Sequence, residues 1–298
     1  MLKSGPGRFA PTRAAVLQMT SAPEVEANLA MARVLLERAR AEGATLAALP
    51  ENFAIMGRKE TDKVEAAETP GEGPIQAFLG HCARELGLWI IGGTIPLRVE
   101  NEPQRVASAS LVFDDHGRCV GRYDKIHLFD VAIPNREAPQ PDERYRESAT
   151  VAPGSQPQVV PTPFGRIGMA VCYDVRFPEL FRVLQEQGAE ILSLPSAFTA
   201  PTGKAHWELL MRARAVENLC YVLAPAQSGI HPNGRETWGD SLIVDPWGQV
   251  LSRAGDAGPG LAVAEIDRTV QQELRERFPA LSHRRFTITP PQTPSSAD

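Results

Sequence analysis

Three residues of this 298-residue chain have types suited to attack on a carbonyl, and each follows a short apolar run. Glu51 follows Ala48-Leu49-Pro50, Lys125 follows Arg122-Tyr123-Asp124, and Cys172 follows Ile167-Gly168-Met169-Ala170-Val171. A thiol is a good nucleophile as the thiolate, a nearby carboxylate can take its proton, and an ammonium group favours the resulting negative charge. Together they suit acyl transfer. Cys172 attacks the carbonyl carbon, Lys125 and a backbone N–H hold the oxyanion, and Glu51 passes the proton to the departing amine. Water then cleaves the thioester, with Glu51 again as base. Residue type alone also carries a blander reading: a lone cysteine behind an apolar strand is more often a buried small hydrophobe, and charged residues after strands are usually solvated. Cys82, on an apolar helix face, and Cys119 and Cys220, beside strands, read as structural.

What must position the three is an alternation of strands and helices. Residues 13–19 read as a strand, after which Val25, Leu29, Ala32, Leu36 and Ala39 share one helical face. Residues 44–49 form a second apolar run, and Ile75, Phe78, Leu79, Cys82 and Leu86 mark a helix before a strand at 88–94. The runs 105–113 and 119–123 flank Asp114-Asp115-His116-Gly117-Arg118, a turn composition suited to a hairpin. Residues 131–158 are polar and carry five prolines, which predicts a long loop and a candidate lid.

The alternation then returns, with strands at 166–171 and 191–194 and helices at 178–187 and 205–219. Strands at 221–224, 241–244, 250–253 and 261–266 precede a last helix at 270–278. The pattern predicts an α/β domain with mixed sheets, its site at the carboxyl ends of the strands. No linker divides it: residues 1–12 read as a flexible extension, 13–285 as a single domain, and 286–298 as a Pro/Ser-rich tail.

Composition excludes several classes of function. A net charge of −5, with Lys and Arg scattered, offers no basic field for nucleic acid. No apolar run approaches a membrane span, and Met1 to Arg13 lacks the apolar core of a secretory signal. The four cysteines have no CxxC pair and no metal-ligand spacing, so neither disulfides nor a metal site is expected, and a reducing cytoplasm is the expected location.

The wording around the three residues carries more than their placement. Leu49-Pro50-Glu51, Tyr123-Asp124-Lys125-Ile126-His127-Leu128 and Cys172-Tyr173-Asp174-Val175-Arg176-Phe177-Pro178-Glu179-Leu180 resemble the nitrilase superfamily of carbon-nitrogen hydrolases. The similarity continues, in order, through Pro195-Ser196-Ala197-Phe198, His206-Trp207-Glu208, Arg212-Ala213-Arg214-Ala215 and Asp245-Pro246-Trp247-Gly248. It implies a four-layer α-β-β-α sandwich, a homodimer or higher homo-oligomer, a Glu51-Lys125-Cys172 triad, and no metal or organic cofactor. It also marks Glu147 as a second glutamate that positions substrate and lysine, and the backbone N–H of Tyr173 as an oxyanion donor. Asp174 and Arg176 become supports for the loop that holds Cys172, and His127 a structural histidine with a satisfied hydrogen bond.

Within the superfamily, the text most resembles the Nit branch, which includes deaminated glutathione amidase and ω-amidase. The resemblance implies a small-molecule amide substrate, first among candidates deaminated glutathione, cleaved to 2-oxoglutarate and cysteinylglycine. The rivals are an ω-amidase acting on 2-oxoglutaramate and a catalytically silent protein of the same fold. Substrate carboxylates would need Arg, Lys or N–H partners. Arg176, Arg182, Arg212 and Arg214 are available by type, but none is assigned to binding, because helical arginines are usually surface residues.

Overall fold

In the computed structural model, which describes residues 11–133, 143–255 and 258–288, the chain opens with β1 (Thr12–Gln18), α1 (Val25–Ala41) and β2 (Leu46–Ala48). Helices α2 (Asp62–Glu65) and α3 (Pro74–Leu86) lead to β3 (Trp89–Ile91), β4 (Ile95–Arg98), β5 (Val106–Phe113) and β6 (Cys119–Asp124). Next come β7 (Asp130–Ile133), β8 (Glu143–Arg146), β9 (Gln158–Thr162), β10 (Gly165–Met169), α4 (Pro178–Glu186), β11 (Ile191–Ser193), α5 (Ala200–Asn218) and β12 (Tyr221–Ala224). The described elements end with β13 (Ser228–Ile230), β14 (Glu236–Trp238), β15 (Leu242–Val244), β16 (Val250–Arg253), β17 (Gly260–Ile266), α6 (Arg268–Arg277) and a 3-10 turn at Ala280–His283.

Strands that are apolar on both faces must be covered on both sides. Along β1, Ala14 and Val16 face one core while Ala15 and Leu17 face another; in β2, Leu46 and Ala48 part from Ala47 in the same way. The first core lies between two sheets, ordered β17-β1-β2-β3-β5-β4, with β6 also on β5, and β16-β15-β12-β11-β10-β9. Helices α1 and α3 cover the outer face of the first sheet, and α4 and α5 that of the second. The layers are therefore α-β-β-α, as expected. Fully buried Leu17, Leu36 and Leu79, on the α1–α3 side, each contribute on the order of 2–3 kcal/mol.

Both sheets are mixed. Strands β1, β2 and β3 run parallel, as do β10, β11 and β12, while the outer pairings are antiparallel. The parallel strands aim their carboxyl ends the same way, and β2 and β10 end just before Glu51 and Cys172.

The structure departs from the sequence reading at the edges. Strands β4 and β9 were not expected; each contains a proline, Pro96 and Pro161, which weakens a strand pattern, and each lies at a sheet edge, where proline is tolerated. The loop predicted at 131–158 is not irregular throughout. Its two flanks pair antiparallel as β7 and β8, from Asp130↔Arg146 to Ile133↔Glu143, and β9 closes its far end. Residues 134–142, with three of its prolines, lie outside the described residues, as do 1–10 of the predicted extension and 289–298 of the predicted tail. Helix α5 begins at Ala200, with Pro201 in its first turn, five residues before the predicted start at 205.

Candidate active site

Each candidate residue sits on a backbone that is tightly specified. Behind Glu51, Gly93 adopts φ +53°, and a Cβ there would lie 2.0 Å from Pro50 O, so only glycine allows this close approach. Asn52 N–H donates to Thr94 Oγ1 at 2.9 Å, and Gln227 Nε2 donates to Glu51 O at 3.0 Å. Lys125, just past β6, donates its N–H to Ser108 O and accepts from Gly154 N–H, at 3.0 and 2.8 Å. A Cβ on Gly154 would meet Asp124 O at 2.1 Å. Cys172 begins a 3-10 turn with φ +45°, a left-handed conformation that costs a side-chain-bearing residue about 1–2 kcal/mol. The hydrogen bond from Cys172 N–H to Pro195 O, 3.0 Å, helps to offset that cost.

The structure brings the side chains together. Lys125 Nζ donates to Glu51 Oε1 at 2.8 Å and to both oxygens of Glu147 at 2.9 Å, and Phe129 N–H completes Glu147 by donating to Oε2 at 2.7 Å. Lys125 is 1% exposed, Glu51 4% and Cys172 8%. Burial opposes the ammonium charge, but the carboxylates of Glu147 and Glu51 outweigh it and hold the Lys125 pKa well above its ordinary value. Burial likewise opposes the charge on Glu147, yet Lys125 beside it keeps that carboxyl below the usual range.

Burial, followed by the negative charge of Glu51, pushes the Cys172 pKa well up, and Lys125 and a hydrogen bond from the backbone of Ala197 only partly reverse this. Burial and the Glu51 charge both disfavour a standing thiolate. An arrangement of this kind activates sulfur by proton transfer to the adjacent carboxylate.

Asp174 ties the elements together. Its fully buried carboxylate accepts from Tyr123 OH at 2.8 Å, Val171 N–H at 2.8 Å and His127 N–H at 3.0 Å, and its Oδ1 lies 2.7 Å from His127 Nδ1. The His127 ring also stacks on Phe177 with centroids 3.7 Å apart. Both residues thus bind the Lys125 segment to the Cys172 turn. Asp174→Ala is expected to lower unfolding free energy by at least about 3 kcal/mol, because several buried donors lose their acceptor at once. Urea denaturation reads this directly, and a loss under 1 kcal/mol removes Asp174 from that role.

Arg176 links the turn to α5. Its guanidinium reaches α5 and the cleft over Cys172, with Nη2 3.3 Å from His206 Nδ1 and its carbon 5.6 Å from the Phe198 ring centre. Arg214 also supports the turn: its Nε and Nη2 donate to Val175 O at 2.8 and 2.6 Å. The sequence does hold a signal for it. Trp207, Met211, Arg214 and Asn218 fall on the buried stripe of α5. Arg182 bonds Glu217 O, and Arg212 bonds Gly248 O and Glu208, so neither faces the site.

Gln227, also unread in the sequence, is fully buried; it bonds Ser21 as well as Glu51 O, and its N–H donates to Ser196 O at 2.9 Å. It thereby joins the turn at Glu51 to the segment after β11, where Pro195 O accepts from Cys172 N–H. No spacing in the sequence marks it.

A cleft of about 200 Å³ opens over these groups, lined by Glu51, Lys125, Glu147, Cys172 and Tyr173. The Tyr173 N–H, second in the 3-10 turn, has no acceptor among the described residues, as is usual for the first amides of a helical turn. The family model of carbon-nitrogen hydrolases matches residues 13–276. The chain belongs to that family.

As a carbon-nitrogen hydrolase it is an amide-cleaving enzyme of the nitrilase superfamily, and its relatives agree. It is 44% identical to a deaminated glutathione amidase from Synechocystis, over 93% of this chain and 99% of the relative. Among solved structures, Saccharomyces cerevisiae Nit3, a member of branch 10 of the nitrilase superfamily, superposes with a TM-score of 0.82 at 30% identity, covering 94% of this chain and 98% of Nit3. A Nesterenkonia amidase, solved after Michael addition of acrylamide at its active-site cysteine, gives 0.72 at 27% identity over 89% and 97%. No helix among the described residues of this carbon-nitrogen hydrolase is long and apolar enough to cross a membrane.

Proposed function

We propose that the chain hydrolyses deaminated glutathione to 2-oxoglutarate and cysteinylglycine, with Cys172 as nucleophile, Glu51 as general base and acid, and Lys125 as oxyanion donor. The observation that carries this reading is the convergence of these three buried side chains at the floor of one cleft. The Synechocystis relative supplies the substrate, and the acrylamide adduct of the Nesterenkonia amidase supports a reactive cysteine at the same kind of site.

In the proposed reaction the substrate carbonyl oxygen lies against Lys125 Nζ and Tyr173 N–H. Glu51 takes the thiol proton as sulfur attacks, so that charge is made on sulfur only while it is being consumed. Collapse of the tetrahedral intermediate needs a proton on the departing nitrogen, and Glu51 supplies it. A 2-oxoglutaryl thioester remains, which water attacks with Glu51 again as base. Glu147 keeps Lys125 charged and in place, since it grips the ammonium through both oxygens.

Residues 13–285 act as one hydrolase domain in this reading. The four described thiols are free, in keeping with a cytoplasmic enzyme of metabolite repair. Leu209 and Val216 of α5 are exposed, as are Trp247 and Phe278, whose rings meet at 5.6 Å; this apolar outer face supports a homodimer, whose mass sedimentation would reveal.

The deciding assay offers the purified protein deaminated glutathione, 2-oxoglutaramate, a simple nitrile and an N-carbamoyl amino acid side by side. Deaminated glutathione is expected to be cleaved with the highest kcat/KM. Preference for 2-oxoglutaramate, or cleavage of none, overturns the substrate assignment.

A further inference from the structure

The cleft is lined by several cations that the reaction leaves unused. Lys125 is engaged by Glu51 and Glu147, and Lys63 by Glu60 at 2.6 Å. Arg176 faces His206 and Phe198. Arg144 and Arg146 of β8 and Arg235 line the same cleft, and Arg235, like Arg176, has no carboxylate within ion-pair distance among the described residues. Among the described residues the Arg235 Nε is buried without a hydrogen-bond partner, and Nη2 donates to Ala197 O at 3.2 Å. A buried guanidinium N–H left unpaired is unfavourable unless something else satisfies it.

Its position is rigid. Arg235 closes the turn between β13 and β14, where its N–H donates to Asn233 Oδ1 at 2.9 Å and its carbonyl accepts from His231 N–H at 2.9 Å. That turn is fastened to the body of the protein: Asn233 Nδ2 donates to Gly57 O, and buried His231 lies 2.9 Å from Ser21 O through Nδ1 and 2.8 Å from Thr237 Oγ1 through Nε2. The guanidinium carbon stands 5.4 Å from the centre of the Tyr145 ring, which contributes a flat wall. Ala197 connects it to the chemistry. Its carbonyl holds Arg235, and Ala197, Cys172 and Arg235 line one cleft, so the guanidinium lies on the same wall as the nucleophile's neighbour.

We infer that Arg235 is a specificity-determining residue that binds a carboxylate of the substrate, using Nε and an Nη as a two-pronged donor. Guanidinium matches carboxylate geometry in this way, and a fixed one discriminates against neutral ligands. The inference rests on the amidase reading above. Deaminated glutathione carries two carboxylates, one at the oxo-acid end and one on the glycine, and both lie within about one or two residue lengths, on the order of 4–7 Å, of the scissile carbonyl.

The test compares wild type, Arg235→Gln and Arg235→Lys on deaminated glutathione, on its glycinamide form and on its oxo-acid methyl ester. R235Q is expected to raise KM for deaminated glutathione about tenfold to a hundredfold, as for loss of a charged hydrogen bond, with kcat changed far less. R235K is expected to fall between. The penalty should vanish for whichever neutral analogue lacks the carboxylate that Arg235 holds, which names the end. An unchanged KM, or a penalty that persists undiminished with both neutral analogues, overturns the inference. Should wild type fail to cleave deaminated glutathione, the substrate reading falls while Arg235 is still tested: glutarate, but not its neutral diamide, is expected to slow iodoacetamide labelling of Cys172 in wild type and not in R235Q or R235K to the same degree. Equal protection by both compounds, or equal protection in all three proteins, overturns it.

Discussion

Cys172→Ala is expected to lose amide hydrolysis by at least about 10⁴-fold while the protein stays folded. Cys172 is the cysteine that lines the cleft, and without it no thioester forms. Lys125 and the Tyr173 N–H remain to polarise a carbonyl, which leaves a small residue of rate and not the enzyme's own. The fold has little to lose. The left-handed turn at Cys172 is held by backbone hydrogen bonds and by Asp174, none of which uses the sulfur.

The same substitution has a pH signature. The folded-state thiol pKa lies above its ordinary value of 9.0 because of burial and the Glu51 charge. The folded protein therefore keeps a proton that the unfolded chain releases. This contribution is fully present below about pH 9 and is lost as pH rises toward the folded-state value. Cys172→Ala removes the group, so melting temperatures of variant and wild type should move in the variant's favour between pH 7 and pH 10. Retained hydrolysis, or collapse of the fold at pH 7, would count against Cys172 as the nucleophile on an otherwise independent scaffold.

The sequence exposes those parts of the site that depend on local order. Glu51 and Cys172 follow short apolar runs that read as strands, and the parallel strands that precede them share a direction. Strand β6 brings Lys125 in from the hairpin, whose turn residues are plain to read. Long-range partners are another matter. Gln227 lies 176 positions from the Glu51 carbonyl it holds, and nothing at either end of that separation marks the pair. Arg214 was hidden by its type, since arginine on a helix is expected at the surface, although its place on the buried stripe of α5 contradicted that expectation. Arg235 sits in a polar turn of the kind usually solvated, and only the fold turns it toward the cleft. Charge balance is equally illegible. Whether a carboxylate near a thiol helps or hinders ionisation depends on burial and on the nearest cation, and here the first two influences outweigh the third.

That balance yields the sharper expectation, in which one substitution moves two measurements in opposite directions. Glu51→Gln is expected to lower hydrolysis by about 10²–10⁴-fold, the usual scale for loss of a positioned base, while making Cys172 easier to alkylate. Glutamine keeps the shape and an oxygen able to accept from Lys125 Nζ, now 2.8 Å from Glu51 Oε1. It removes the negative charge that, after burial, does most to raise the thiol pKa. It also leaves the Lys125 ammonium with one carboxylate, Glu147, in place of two, so more of its field falls on sulfur. Both changes favour the thiolate. Iodoacetamide labelling of Cys172, followed by mass spectrometry across pH, should show a midpoint above 9 in wild type and a lower one in E51Q, hence faster labelling at pH 8. A base that only served to generate a standing thiolate would give the reverse result, with labelling and hydrolysis falling together. Opposed signs would mean that Glu51 suppresses the free thiolate and releases nucleophilicity only when a carbonyl is in place to receive it.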